Sequence, residues 1–129
     1  MAYLDIVTAL ALLQFLVFGF KVARARTRYD VKAPAITGHV IFQRYFRVQQ
    51  NTLEQLVVFI PGLYLFGRYF NPVVAALLGL LYLAGREIYA AGYVKDPANR
   101  HVGYGLTFLP IVILIVGGIV GAVRYLIYT

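Results

Sequence analysis

A run of polar residues within a predicted membrane helix is the clearest sign of chemistry in this chain. Arg47, Asn51 and Glu54 stand at i, i+4 and i+7, so a helix presents a cation, an amide and a carboxylate on one face, with Gln49 close by in the sequence. Ionisable groups at membrane depth are costly and usually face a bundle interior or a wet cavity. We therefore expect this face to belong to a functional site.

A second polar face follows on the next predicted helix. Arg86, Tyr89 and Tyr93 stand at i, i+3 and i+7, and faces on neighbouring helices can meet. A purely structural interpretation is also open, in which Glu54 pairs with Arg86 and the tyrosines belong to an interfacial aromatic belt.

The elements that position these residues are predicted to be membrane helices. The chain has 129 residues, of which 61% are hydrophobic and 13% charged. A bilayer core requires roughly 20 mostly apolar residues per helix. Four stretches meet this need, so we predict an all-α integral membrane protein, a bundle of four transmembrane helices forming one domain over residues 1–129. The predicted spans are residues 3–20, 47–67, 72–93 and 102–123.

Basic residues predict the orientation of the bundle. Six follow the first span and two follow the third, so both connections are expected to be cytoplasmic and both termini on the opposite side. Asp5 precedes the first apolar run and the cations follow it, which is the reverse of a cleaved signal peptide. Because topology explains the net charge of +7, we expect no nucleic-acid partner. The basic residues are Lys21, Arg24, Arg26, Arg28, Lys32, Arg44, Lys95 and Arg100.

Several reactive groups are missing or isolated. The chain has no cysteine, which removes disulfides and any thiol nucleophile of its own. Its two histidines, His39 and His101, lack carboxylates at ligand spacing, so we expect interfacial histidines and no metal site.

Turn residues predict the connections between the helices. Asn71 and Pro72 predict a tight reversal, residues 28–37 a longer loop, and residues 96–99 a turn. On the fourth span, Gly117, Gly118 and Gly121 predict close approach of a neighbouring helix.

Two sequence blocks resemble a known family. Residues 43–54 (QRYFRVQQNTLE), followed by Pro61, resemble the second-helix signature of the MAPEG family, the membrane-associated proteins of eicosanoid and glutathione metabolism. Residues 81–100 are similar to the third helix and following loop of its branch of type-two microsomal glutathione transferases and leukotriene-forming synthases. The resemblance covers most of the chain from Arg26 to Arg100.

The resemblance implies a homotrimer of four-helix protomers that binds glutathione between subunits near the cytoplasmic side. It further implies a membrane-bound glutathione transferase in which Arg100 is catalytic and stabilises the glutathione thiolate. That thiolate would attack lipophilic electrophiles or reduce lipid hydroperoxides. The binding residues implied are Arg47, Asn51, Glu54, Tyr89 and Tyr93 from one subunit, with Arg26 and Gln49 from its neighbour.

Two other functions remain open. The same family includes a non-catalytic scaffold that binds lipid, but that member lacks the arginine matching Arg47. A small four-helix exporter also suits the length and hydropathy, although such exporters generally use a carboxylate in the first span. Here Asp5, at the outer end, is the only acidic residue in that span.

Overall fold

The computed structural model describes all of residues 1–129 and confirms an all-helical fold. Four long helices are present, together with a 3-10 turn at Pro97–Asn99. They are α1 (Ala2–Tyr29), α2 (Val40–Tyr69), α3 (Pro72–Lys95) and α4 (Arg100–Tyr128).

The helices extend beyond the apolar stretches that predicted them. Helix α1 continues through its cationic residues to Tyr29 and ends where Asp30 adopts a left-handed conformation with φ 53°. Helix α2 begins at Val40, where the His39 ring nitrogen Nδ1 accepts a hydrogen bond from the Ile41 amide at 3.1 Å. An apolar stretch marks only the part of a helix that fits hydrocarbon, whereas the helix itself ends where it is capped.

Three helices are long and apolar enough to cross a membrane: α1, α3, and α4 with its preceding 3-10 turn. Helix α2 is not among them, which differs from the prediction of four spans. Its length of 30 residues is sufficient, but many polar residues lie between Arg44 and Gln55, near its N-terminal end.

Helix α2 nevertheless lies along the whole of α1 in the antiparallel direction. At one end, Phe42 packs in a cluster with Val22 and Ala25. At the other end, a Cβ on Gly67 would overlap the side chain of Leu4. The two helices therefore cover the same thickness of the bundle.

The main hydrophobic core occupies the half of the bundle that contains the chain termini. Its centre is the stacked pair of Phe59 and Tyr82, whose ring centroids are 3.8 Å apart. Leu63 and Leu114 are fully buried around it. The other half of the bundle, where the basic residues cluster, is less completely filled and contains the cavities described below.

Hydrogen bonding and close helix packing reinforce the core-containing half. The Tyr64 hydroxyl donates to Asp5 Oδ1 at 2.6 Å, which joins α2 to the start of α1. A Cβ on Gly118 would lie 2.9 Å from the Leu65 Cβ, so α4 approaches α2 closely. This confirms the predicted role of the α4 glycines.

The predicted turns are also confirmed. Asn71 Oδ1 accepts hydrogen bonds from the amides of Val73 and Val74 at 2.8 and 3.0 Å, and Pro72 takes the first helical position. In the third connection, Asp96 Oδ1 accepts from the Ala98 amide at 3.0 Å. The first connection runs over residues 30–39, two residues later than predicted.

Candidate functional site

A cavity of about 300 Å³ opens between α2, α3 and α4 in the basic half of the bundle. It contains five of the eight residues predicted for the site, and none of its lining residues is acidic. The lining residues are Arg47, Asn51, Tyr89, Tyr93, Arg100, His101 and Tyr104. An adjoining cavity of about 260 Å³ shares Arg47 and Tyr93 and adds Gln43 and Arg44.

Close packing of α3 and α4 brings the α4 side chains to this cavity. A Cβ on Gly103 would overlap the backbone nitrogen of Tyr89, so only glycine permits the observed approach. Arg100, at the start of α4, donates from Nη1 to the Pro97 carbonyl at 3.0 Å. The Arg100 guanidinium is thereby attached to the turn that precedes its own helix.

Behind the cavity, Arg86 joins the two polar faces predicted from the sequence. It is fully buried and donates from Nη2 to Asn51 Oδ1 at 2.8 Å. Its guanidinium lies 4.3 Å from the centroid of the Tyr89 ring, a favourable cation-π arrangement. Two further nitrogens, Nε and Nη1, have no hydrogen-bond partner within the protomer. Glu54 is therefore not the partner of Arg86 here, contrary to the purely structural interpretation.

Tyrosines form one wall of the cavity. The ring centroid of Tyr89 is 5.6 Å from that of Tyr93 and 6.4 Å from that of Tyr104. Such a wall offers apolar ring surface as well as hydroxyl groups that can donate hydrogen bonds.

Three predicted site residues lie outside the cavity. Glu54 is exposed, about one turn beyond Asn51 on α2. Gln49 packs beside α1, where its Nε2 would be 3.1 Å from a Cβ on Gly19. Arg26 donates from Nη1 to the Ala35 carbonyl at 2.7 Å and thus supports the first connection.

Sequence reasoning missed His101 and Tyr104. Both are exposed residues in the first turns of α4, whose start was predicted at residue 102 instead of Arg100. With the helix starting at Arg100, the i, i+4 spacing would have placed Tyr104 on the same face.

The chemistry of the cavity favours a polar ligand with negative charge. Arg47 and Arg100 are exposed cations, and the N-terminus of α4 adds the positive end of a helix dipole.

Nowhere in residues 1–129 do three His, Cys, Asp or Glu residues form a group that could hold a metal ion.

Together, the four helices and this cavity define a helical membrane protein with a cavity lined by cations and tyrosines. The chain matches the model of the MAPEG family over residues 4–120 and belongs to that family. It is an integral membrane protein, as its three candidate spans and its family indicate.

Individual relatives agree with this assignment. The chain is 48% identical to an uncharacterized protein of Synechocystis over 88% of this chain and 83% of the relative. It is 43% identical to microsomal glutathione S-transferase 2 of Mus musculus over 84% of this chain and 75% of that protein. Leukotriene C4 synthase of Cavia porcellus is 39% identical over 77% of this chain and 66% of the synthase.

Proposed function

We propose that this protein is a membrane-bound glutathione transferase that conjugates glutathione to lipophilic electrophiles, with reduction of lipid hydroperoxides as a second activity. The similarity to microsomal glutathione S-transferase 2 supports glutathione as the cosubstrate. The observation that carries the proposal is the cavity in which Arg47, Asn51 and Arg100 come together.

The groups of glutathione suit this set of side chains. The tripeptide has two carboxylates, an ammonium group and a thiol at neutral pH. Arg47 supplies a guanidinium for a carboxylate, and the tyrosine hydroxyls supply further donors. Glu54 lies outside the cavity, about one turn beyond Asn51 on α2, and is assigned to bind the ammonium group of a glutathione molecule that extends beyond the cavity. Asn51 donates its amide hydrogens, because its oxygen already accepts from Arg86.

Arg100 is assigned the catalytic role. A free thiol has a pKa of about 8.5, so it is mostly protonated at neutral pH. A guanidinium nearby favours the thiolate and lowers the thiol pKa by about 1 to 3 units. The thiolate sulfur then forms a bond to the electrophilic carbon while the leaving group departs with the electron pair of the broken bond. In the peroxidase reaction, two glutathione molecules and a hydroperoxide give glutathione disulfide, an alcohol and water.

A homotrimer completes the proposed site. Arg26 and Gln49 lie outside the cavity of their own protomer, and each would contribute to the site of a neighbouring subunit. The exposed apolar residues Leu53 and Val57, on the same stretch of α2, provide surface for such a contact.

Helix α2 is proposed to be the fourth membrane span. It runs antiparallel to α1 over its full length, and α1 itself is a candidate span. A trimer that buries the polar face of α2 would remove it from lipid. The basic half of the bundle is proposed to face the cytoplasm, which follows the positive-inside rule.

The deciding experiment measures the ultraviolet absorbance of the glutathione thiolate on mixing with detergent-solubilised protein at neutral pH. The native protein should form thiolate and Arg100→Ala should not. Glu54→Ala should require a higher glutathione concentration than the native protein to form the same amount of thiolate. Arg68→Ala, in the opposite half, is the matched control and should behave as native. If the native protein neither forms thiolate nor binds glutathione by calorimetry, the transferase proposal fails, and the lipid-binding scaffold becomes the better explanation.

A further inference from the structure

A second concave surface lies on a different side of the bundle, between α1, α2 and α3. One part is a cavity of about 310 Å³ with a mainly apolar lining that includes Phe18, Val48 and Ala90. The other part is a hollow of about 150 Å³ that includes Arg24 and Arg28. Lys21 and Tyr45 line both parts, so they form one continuous surface, which we call the amphipathic groove.

The amphipathic groove is separate from the two cavities lined by Arg47, because it shares no lining residue with either of them. It lies on a candidate membrane span, since α1 provides residues to both of its parts. On α1, Phe18, Lys21, Arg24 and Arg28 follow one another at intervals of three or four, with Ala25 and Tyr29 beside them, so one helical stripe becomes cationic from Lys21 onward.

Charge is distributed unequally along the groove. Lys21, Arg24 and Arg28 are all exposed and follow one another along the stripe. The single carboxylate, Glu87, lies near the apolar end, where Gln14 Nε2 donates to its Oε1 at 3.2 Å. Lys95, which also lines the groove, follows Glu87 by eight residues on α3, or about 12 Å along the helix. An anionic group is therefore attracted to the end of the groove near Arg24 and Arg28, and it is repelled from the end near Glu87.

We propose that the amphipathic groove binds one anionic glycerophospholipid. The phosphate would contact the Lys21, Arg24 and Arg28 side chains, and an acyl chain would lie against the apolar surface. Lys21 Nζ lies 5.7 Å from the centroid of the Phe18 ring, so a cation stands where the two parts meet. Basic residues next to a membrane span attract anionic lipid headgroups, whereas a zwitterionic lipid has no net charge to match them.

The apolar part of the groove argues for a whole lipid as its occupant. A free phosphate ion would use only the cationic hollow and would leave the 310 Å³ cavity unfilled. A lipid acyl chain fills such a space from the surrounding bilayer without exposing apolar surface to water.

The test uses native mass spectrometry of the intact detergent-solubilised oligomer with equal amounts of phosphatidylglycerol and phosphatidylcholine of identical acyl chains. The native protein should retain phosphatidylglycerol in preference. The triple variant Lys21→Gln, Arg24→Gln, Arg28→Gln should bind it at least about tenfold more weakly. The matched control, Arg68→Gln with Arg124→Gln, removes cations from the opposite half and should bind as the native protein does.

A second variant tests the apolar part without changing any charge. Ala91 is an exposed lining residue, and Ala91→Trp places a large ring in the cavity. Loss of phosphatidylglycerol binding in this variant, at an unchanged thermal midpoint, would support the proposal. Equal retention of the two lipids by the native protein, or undiminished binding by the triple variant, would overturn it. Lipid binding by separated protomers but not by the intact oligomer would also overturn it, because a neighbouring subunit would then occupy the groove.

Discussion

Arg86 and Asn51 connect α3 to α2 through a hydrogen bond of 2.8 Å from Nη2 to Oδ1, and this bond determines the direction of the Asn51 amide. A guanidinium has only donors, so the asparagine oxygen must point towards it. The Asn51 amino group is then left to donate to another partner. A fully buried arginine thus acts on the cavity that Asn51 lines without being one of its lining residues.

The first prediction concerns this buried arginine. In Arg86→Met the fold should be retained, because an apolar side chain of similar length replaces a buried charge that has two unpaired nitrogens. Asn51 loses its orientation, and the dissociation constant for glutathione should rise by about tenfold. Calorimetry measures the affinity for glutathione, and thermal unfolding in detergent shows whether the fold is retained. Glu87→Gln, at the adjacent position, is the control and should bind glutathione as the native protein does. Unchanged affinity in Arg86→Met would contradict the role assigned to Arg86.

The second prediction separates charge from geometry at Arg47. Arg47→Gln should weaken glutathione binding by about tenfold or more, because a cation is removed from a cavity without acidic lining residues. The affinity of Arg47→Lys for glutathione should lie between those of Arg47→Gln and the native protein. Lysine keeps the charge but cannot form paired hydrogen bonds to a carboxylate. Equilibrium binding at two salt concentrations measures both effects. If Arg47→Lys and Arg47→Gln bind equally well, charge at this position does not contribute.

A third prediction is the pH dependence of the reaction. With Arg100 present, the bound thiol should have a pKa about 1 to 3 units below its usual value of about 8.5. The rate of conjugation should therefore rise with pH and reach half its maximum at a lower pH in the native enzyme than in Arg100→Ala. The ratio of native to variant rates should be largest in acid and shrink as the pH approaches 9. A constant ratio across the pH profile would show that Arg100 does not act on the thiol.

The fourth prediction uses two glycines on the same helix. In Gly103→Ala the new Cβ would overlap the backbone of Tyr89, so α3 and α4 must separate. We expect a lower thermal midpoint together with loss of thiolate formation, because Tyr89, Arg100 and Tyr104 move apart. Gly105→Ala is the matched control, since nothing lies within 4 Å of its added Cβ and alanine favours a helix. Equal behaviour of the two variants would mean that close packing at Gly103 is unimportant for the site.

Much of the site was predictable because helical spacing alone identifies which residues share a face. Arg47 with Asn51, and Arg86 with Tyr89, were placed on two faces that do meet in the structure. The partner of Arg86 was not predictable in the same way. Asn51 and Glu54 are three residues apart on one broad face, and only the rotation of α2 against α3 decides which of them reaches the guanidinium.

Helix ends were the least predictable part of the fold. Hydropathy located the spans, but it carries no information on how far a helix continues into the polar region. Hydropathy predicts that α4 starts at residue 102 and therefore places Arg100 in the connection before it. In the structure, Arg100 is the first residue of α4. No side-chain cap marks this start: Asp96 caps the preceding 3-10 turn, and α4 follows directly from that turn at Arg100.

The hydrogen bond between Tyr64 and Asp5 belongs to a half of the bundle that contains none of the cavities described above. The main hydrophobic core and the cavities therefore lie in opposite halves of the same helices. A substitution near the cavities can alter what the protein binds while the packing of Phe59 against Tyr82 is preserved. Because the two regions are far apart along the helices, substitutions in the core and in the cavity should change stability roughly additively.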